Sequence, residues 1–177
     1  MGRAKQLLPY RGTTLLGHAV RAAVSSRCSP ILVVVGSEAA QMLAQLSDQP
    51  VSVITNLAWA SGMGSSIRAG LTQLLAQTSP PAVVIMLCDQ PAVTAEILDG
   101  LVDRYQRDCP PIVASSYDGI CGVPALFDAT LFGELLEIDD CCGAREVIQR
   151  HESVVAPIAF PQGWIDVDNP DDYQRLK

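Results

Sequence analysis

Apolar residues recur along this chain in two rhythms that take turns. Leu16, Val20 and Ala23 repeat at helical spacing, which predicts a helix over 14–26. The β-branched run at 31–35, closed by Gly36, predicts a fully buried strand. A helix over 38–46 and a strand over 51–54 follow. Ile67, Leu71, Leu74 and Leu75 share one face of a helix over 65–77, which Pro80 and Pro81 end. A second buried strand is predicted at 83–87. Thr94 is placed to cap a helix over 95–106, with Ile97, Leu98, Leu101 and Tyr105 turned inward. Strands at 112–115 and 123–127 come next, with 119–124 reading as a loose loop. Short helices at 129–137 and 143–151, a strand at 154–158 and a last helix from Pro170 to 176 complete the series.

Strands separated by helical segments predict an α/β fold: a doubly wound, mostly parallel sheet with helices on both faces. At 177 residues and 49% hydrophobic, the chain has the apolar material for one well-filled domain. No repeat, low-complexity tract or linker divides it.

Charge narrows the partners. The net charge is -7 and the basic residues form no run, which argues against nucleic acid. The longest apolar runs are too short to span a bilayer. Residues 1–11 carry three basic side chains and no apolar core of a secretion signal, so a cytoplasmic protein with no membrane partner is expected. Six cysteines stand at 28, 88, 109, 121, 141 and 142 with no C-x-x-C pair, which gives a zinc site little support. The adjacent Cys141 and Cys142 read either as small residues near a helix start or as a soft-metal or redox pair.

Chemistry in such a sheet gathers beyond the carboxyl ends of the strands. Asp89 stands there, after 83–87, and is followed by Gln90 and Pro91. It reads as a cap of the next turn or as the carboxylate that a Mg²⁺-nucleotide site needs. Asp166 and Asp168 alternate on an extended segment, and Asp168 is open to the same two readings. Asp171 and Asp172 fall in the first turn after Pro170, where capping explains them. Asn56 to Gly70 runs small residues and glycines into a helix start, offering backbone N–H groups to an anion or a base edge.

Taken in order, these segments resemble the MobA/MocA-like molybdenum cofactor nucleotidyltransferases along essentially the whole chain. Met1, Gly2, Lys5, Leu7, Leu8 and Pro9 fall on the tail of that family's nucleotide loop, L-A-A-G-x-S-x-R-M-G-x-x-K-x-L-L-P. Asn56, Trp59, Gly62, Met63, Ser65, Ser66 and Gly70 match its N-x-x-W-x-x-G-M-x-S-S-x-x-x-G block. Asp89-Gln90-Pro91 resembles its D-Q-P metal motif. Gly122, Pro124 and Phe127 fit G-x-P-x-x-F, and Gly143-Ala144-Arg145 fits G-A-R. Asp166 to Tyr173 follows D-[IV]-D-T-P-E-D-Y, with Asn169 in place of Thr. The G-M-x-S-S and G-x-P blocks favour the cytidylyltransferase branch.

The resemblance implies a nucleotide-diphospho-sugar transferase-like fold and transfer of a nucleoside monophosphate from CTP, or from GTP in the other branch, to a molybdopterin-type acceptor. Asp89 and Asp168 would hold Mg²⁺, and Lys5 with Gly2 would meet the phosphates. Asn56, Gly62, Ser65 and Ser66 would hold base or ribose; Gly122, Pro124 and Arg145 would meet the pterin side. A molybdoenzyme or its chaperone is the implied protein partner. Because the pattern is entered at its R-M-G, the resemblance also implies one nucleotidyltransferase domain over 1–177, incomplete at its N-terminus. In a sheet of order 3-2-1-4 the strands 31–35 and 83–87 would then lie about two spacings of roughly 4.8 Å apart, with a slot between them. A catalytically silent relative, acting as a cofactor-binding chaperone or scaffold, is the alternative.

Overall fold

The computed structural model describes residues 4–176. Its first element pair, β1 (Pro9–Tyr10) and β2 (Thr13–Thr14), is a tight antiparallel hairpin. Arg11 and Gly12 at its turn both take left-handed backbone, with φ of 44° and 78°, as a two-residue type I′ turn requires. Thr14 then caps α1 (Leu15–Ser25), its side chain accepting the Gly17 N–H at 3.1 Å.

β3 (Leu32–Val35) and β4 (Ser52–Thr55) flank α2 (Ala39–Leu46) and pair in parallel. A larger sheet follows in the order β5 (Ala82–Ile85), β7 (Ile120–Asp128), β6 (Ile112–Tyr117), β8 (Val155–Ala159). β5, β6 and β8 point one way and β7 runs against both its neighbours. The reversal is made by Asp118 and Gly119, whose φ values are 50° and 76°. This corrects the loop expected over 119–124: β7 already begins at Ile120, so Gly122 and Pro124 lie within a strand. The Asp-Gly dipeptide between two apolar runs is the sequence signal for this hairpin.

A second correction concerns the strands at 31–35 and 83–87. They lie in separate sheets, β3 paired with β4 and β5 with β7. Helix layers nevertheless join the two sheets. Leu32, Val83 and Ile85 pack on a core containing Leu71, Phe127, Leu135 and Val147. Ile31, Val84 and Met86 pack on another with Val93, Leu98 and Leu101. Alternate residues of each strand thus face the same two layers, as a period of two demands. Ladder bonds reach only the adjacent strand, so shared packing unites these strands without making them one sheet.

The first core brings together α3 (Met63–Gln77), α5 (Phe132–Leu136) and α6 (Ala144–Arg150); the second lies beneath α1 and α4 (Ala95–Asp108). Helices therefore cover both faces, and a short α7 (Pro170–Arg175) follows. Among the described residues no helix is long and apolar enough to cross a membrane. The chain leaves the sheet after Ile85, earlier than the pattern predicts, and the segment from Met86 carries Cys88, Asp89 and Gln90 out of the ladder.

Candidate functional site

Lys5, Asp89 and Asp168 come from three distant parts of the chain and meet at one point. Lys5 Nζ lies 2.6 Å from Asp89 Oδ2 and 2.8 Å from Asp168 Oδ1. Each is held by its own element. Lys5 sits in a 3-10 turn from Lys5 to Leu7. The Asp89 carbonyl accepts the Val167 N–H at 3.0 Å, which ties the end of the β5 segment to the 166–168 strip. The Asp168 N–H donates to Asp172 Oδ2, while Asn169 and Asp172 form a capping box at the start of α7. Capping thus accounts for Asp172, and Asp168 is left facing Lys5.

The electrostatics of the cluster are strained toward accepting more positive charge. Burial lowers the Lys5 pKa, but hydrogen bonds and charges from Asp168 and Asp89 outweigh it, and the ammonium is held above its usual range. Asp166, beside the pair, has its pKa raised to about 6 by burial and by the charges of Asp89 and Asp168. Asp89 Oδ1 is buried and without a hydrogen-bond partner. An unpartnered buried carboxylate oxygen is costly, and a cation or a donor satisfies it. Among the described residues no group of three or more His, Cys, Asp or Glu side chains is arranged to hold a metal. Two carboxylates with one open oxygen still suit a hard cation that keeps water and phosphate oxygens as its remaining ligands.

A second polar group adjoins the first. Gln90 is 4% exposed; its Nε2 donates to the Gly163 carbonyl at 3.2 Å, and its Oε1 has no partner. A Cβ on Gly122 would lie 2.3 Å from the Tyr117 hydroxyl, and one on Gly163 would lie 2.3 Å from Tyr117 Cδ1. The Tyr117 ring therefore needs both glycines. Burial and the Asp166 charge push its phenol up, while Gln90 and the Arg145 charge pull it down. Arg145, exposed near the start of α6, thus acts on the same neighbourhood. Ser115 Oγ donates to the buried Pro124 carbonyl at 2.7 Å, which fixes the strand pair beneath. Tyr117 drew no role from the pattern, because the crowding of Gly122 and Gly163 around one ring is a tertiary fact.

The Asn56 to Ser66 segment is organised differently. Asn56 Nδ2 donates to Ser65 Oγ at 2.8 Å and Ser66 Oγ at 3.0 Å, and its Oδ1 accepts the Ala58 N–H at 2.9 Å. Ser65 donates in turn toward the Ala58 and Gly62 carbonyls. Asn56 and Ser65 are both buried. Gly62 and Gly64 lie under the 139–140 backbone: a Cβ on either would come within 2.1 Å of a carbonyl oxygen, of Asp140 and Asp139 respectively. Arg68 clamps the same strip through the Ile138 carbonyl and the Asp140 carboxylate. These side chains shape the loop, leaving Leu57, Trp59 and Met63 exposed on it.

An open depression of about 600 Å³, lined by Ser61, Arg68, Leu136, Asp140 and Cys141 among others, flanks this loop. Neither Lys5 nor Asp89 nor Asp168 lines it. The charged cluster is the better candidate centre, since among the described residues it alone combines opposed charges with an open buried carboxylate oxygen. Gly2 lies outside the described residues.

Comparison with known proteins places the chain in a family. Residues 1–154 match the model of the MobA-like NTP transferase domain. The chain is 33% identical over 107 residues to the nicotine blue oxidoreductase of Paenarthrobacter nicotinovorans, covering 60% of this chain and 51% of that protein. The match thus spans about half of that relative's length. It is 25% identical to the purine catabolism protein PucB of Bacillus subtilis, over the whole chain and 89% of that protein. Among solved structures, the manganese complex of Rv0371c from Mycobacterium tuberculosis superposes with a TM-score of 0.80 at 29% identity, covering 97% of this chain and 90% of that one. The α/β frame is that of a nucleotidyltransferase-like domain, and the chain belongs to the MobA-like NTP transferase domain family.

Proposed function

We propose that this protein transfers a nucleoside monophosphate from a nucleoside triphosphate to a phosphorylated acceptor, with CTP as donor and a molybdopterin-type cofactor as acceptor. The observation that carries the reading is the convergence of Lys5, Asp89 and Asp168 within 2.8 Å. The family supports the triphosphate, and the G-M-x-S-S and G-x-P blocks favour cytosine.

An acceptor phosphate oxygen attacks the α-phosphorus, and the bond to the oxygen bridging to the β-phosphorus breaks. Pyrophosphate leaves with that electron pair. A phosphate monoester is largely dianionic at neutral pH, its second pKa being about 6, so the step needs no base. It needs charge stabilisation and alignment. Lys5 supplies a fixed positive charge to the phosphates. Asp89 and Asp168 would hold a divalent ion, Mg²⁺ in this reading; the manganese complex of the mycobacterial relative supports a divalent metal. Such an ion, when bound, neutralises the charge that develops on the phosphate oxygens. The Asn56, Gly62, Ser65 and Ser66 loop would receive base or ribose on backbone groups, and Arg145, with the strand and ring packed at Gly122 and Pro124, would meet the pterin side.

One observation favours a second reading, a cofactor-binding chaperone or scaffold without transfer: the Lys5 ammonium is already engaged by both carboxylates, so its charge is turned inward on the cluster. Thermal melts in Mg²⁺ separate the two, because only a ligand of the native state raises the melting temperature. CTP is expected to give a larger shift than GTP. A larger GTP shift moves the assignment to the guanylyl branch, and no shift with either nucleotide favours the scaffold.

A further inference from the structure

Cys141 and Cys142 lie outside the charged cluster, yet they sit where the glycine-shaped loop is held down. Their sulfurs are 3.8 Å apart, and all six cysteines of the chain are free. Cys141 is exposed and borders the open depression beside Arg68 and Ser61, so a small solute reaches it. Cys142 is partly buried against the core under α3, α5 and α6. The Cys142 N–H donates to the Asp139 carbonyl at 3.0 Å, and the Gly64 N–H donates to the Asp140 carbonyl at 3.0 Å. The backbone that carries the thiols is therefore the backbone that fixes Gly62 and Gly64.

We propose that Cys141 and Cys142 form a reversible dithiol site for small disulfides of the glutathione class, and that its closure to a vicinal disulfide releases the 139–142 strip from the loop at Gly62 and Gly64. The exchange balances in two steps. The Cys141 thiolate attacks one sulfur of the incoming disulfide, forming a mixed disulfide and releasing one thiolate. Cys142 then attacks Cys141 Sγ, its proton leaving by way of the Glu146 carboxylate, and the second thiolate is released. The protein loses two electrons and two protons, and the small disulfide becomes two thiols. Cys142 is placed for the second step, its sulfur 3.8 Å from Cys141 Sγ.

Geometry supplies the coupling. A disulfide needs its sulfurs about 2.05 Å apart, and its Cα atoms usually lie more than about 4.4 Å apart. Adjacent residues have Cα atoms about 3.8 Å apart. Closing the bond between neighbours must therefore distort the 141–142 backbone. The Asp139 turn and the Asp140 contact with Gly64 are two residues and one residue away from Cys141, and lose their register. A ring closed against its preferred geometry is also readily reduced, so the site reopens as the surrounding thiol pool recovers.

The test uses the full chain carrying Cys109→Ser, to remove the other exposed thiol, and Trp164→Phe, to leave Trp59 as the one tryptophan. The protein is equilibrated in mixtures of oxidised and reduced glutathione and followed by intact mass, peptide mapping and Trp59 emission. The expected result is loss of two hydrogens mapped to the Cys141–Cys142 peptide, with a parallel shift of Trp59 emission, both reversed by reduced glutathione. Cys141→Ser, an exposed and structurally mild change, should abolish both. Retention of glutathione at Cys141 without internal closure overturns the proposal. So does closure that leaves Trp59 emission unchanged. Neither readout depends on nucleotide transfer, so the outcome is independent of the function proposed above.

Discussion

Two polar regions of this molecule use their side chains in opposite ways. In the Asn56 to Ser66 loop the side chains of Asn56 and Ser65 bond the loop itself, Asn56 alone making three hydrogen bonds to its neighbours. At the Lys5, Asp89 and Asp168 cluster the contacts are few and between charges, and buried acceptors at Asp89 and Gln90 are left open. The first region is shape, bought with internal bonds; the second is unspent electrostatic capacity. Motif matching alone weights the two equally.

The sharpest way to break this comparison is Asp89→Asn. Removing one anionic ligand should lower divalent-dependent transfer by roughly a hundredfold, about 2.7 kcal/mol of transition-state stabilisation. The fold should survive, because the residue lies beyond the end of β5. Transfer rates at saturating Mg²⁺ with a thermal melt read both quantities, and an unchanged rate removes Asp89 from the chemistry.

Asn56→Ala should do the reverse. It strands Ser65, Ser66 and the Ala58 N–H, and should cost about 3 kcal/mol of stability. That corresponds to roughly 6–12 °C in melting temperature for a chain of this size. If the melt is unmoved and only nucleotide affinity falls, Asn56 serves the ligand and the contrast between the regions fails. Gly64→Ala tests the clamp: its Cβ would lie 2.1 Å from the Asp139 carbonyl oxygen, so a backbone shift costing about 2 kcal/mol is expected. A crystal structure of the variant with 139–140 unmoved would refute that cause.

The smallest effect is a pH dependence at Asp166. Its folded pKa is raised to about 6 from the ordinary aspartate value of 3.8, so the folded state holds the proton more tightly than the unfolded chain. The associated stability is fully present below about 3.8 and is lost as pH rises through about 6. Asp166→Asn keeps the neutral form at every pH. Its stability relative to wild type, from urea midpoints, should therefore increase between pH 4 and pH 7, and a constant difference would show that the neighbouring carboxylates do not act on it.

The sequence by itself determined the fold class and the succession of elements, since a period of 3.6 or 2 is a local property that burial enforces wherever the element ends up. The helix over 65–77 became Met63–Gln77 and the strand at 154–158 became Val155–Ala159. It also marked Lys5, Asp89 and Asp168 as candidates, through motifs that lie far apart along the chain. What it did not determine is who meets whom. The Asp118-Gly119 turn inserts β7 between β5 and β6, which puts Gly122 under Tyr117 and turns a supposed loop into a strand. The division of β3 and β5 between two sheets, the packing of Asp139 and Asp140 over Gly62 and Gly64, and the closing of Lys5 onto two carboxylates were likewise decided only by tertiary structure. Spacing along a chain encodes which face a side chain takes; contacts between distant segments depend on how those faces stack, and charge, burial and hydrogen bonding are settled only there.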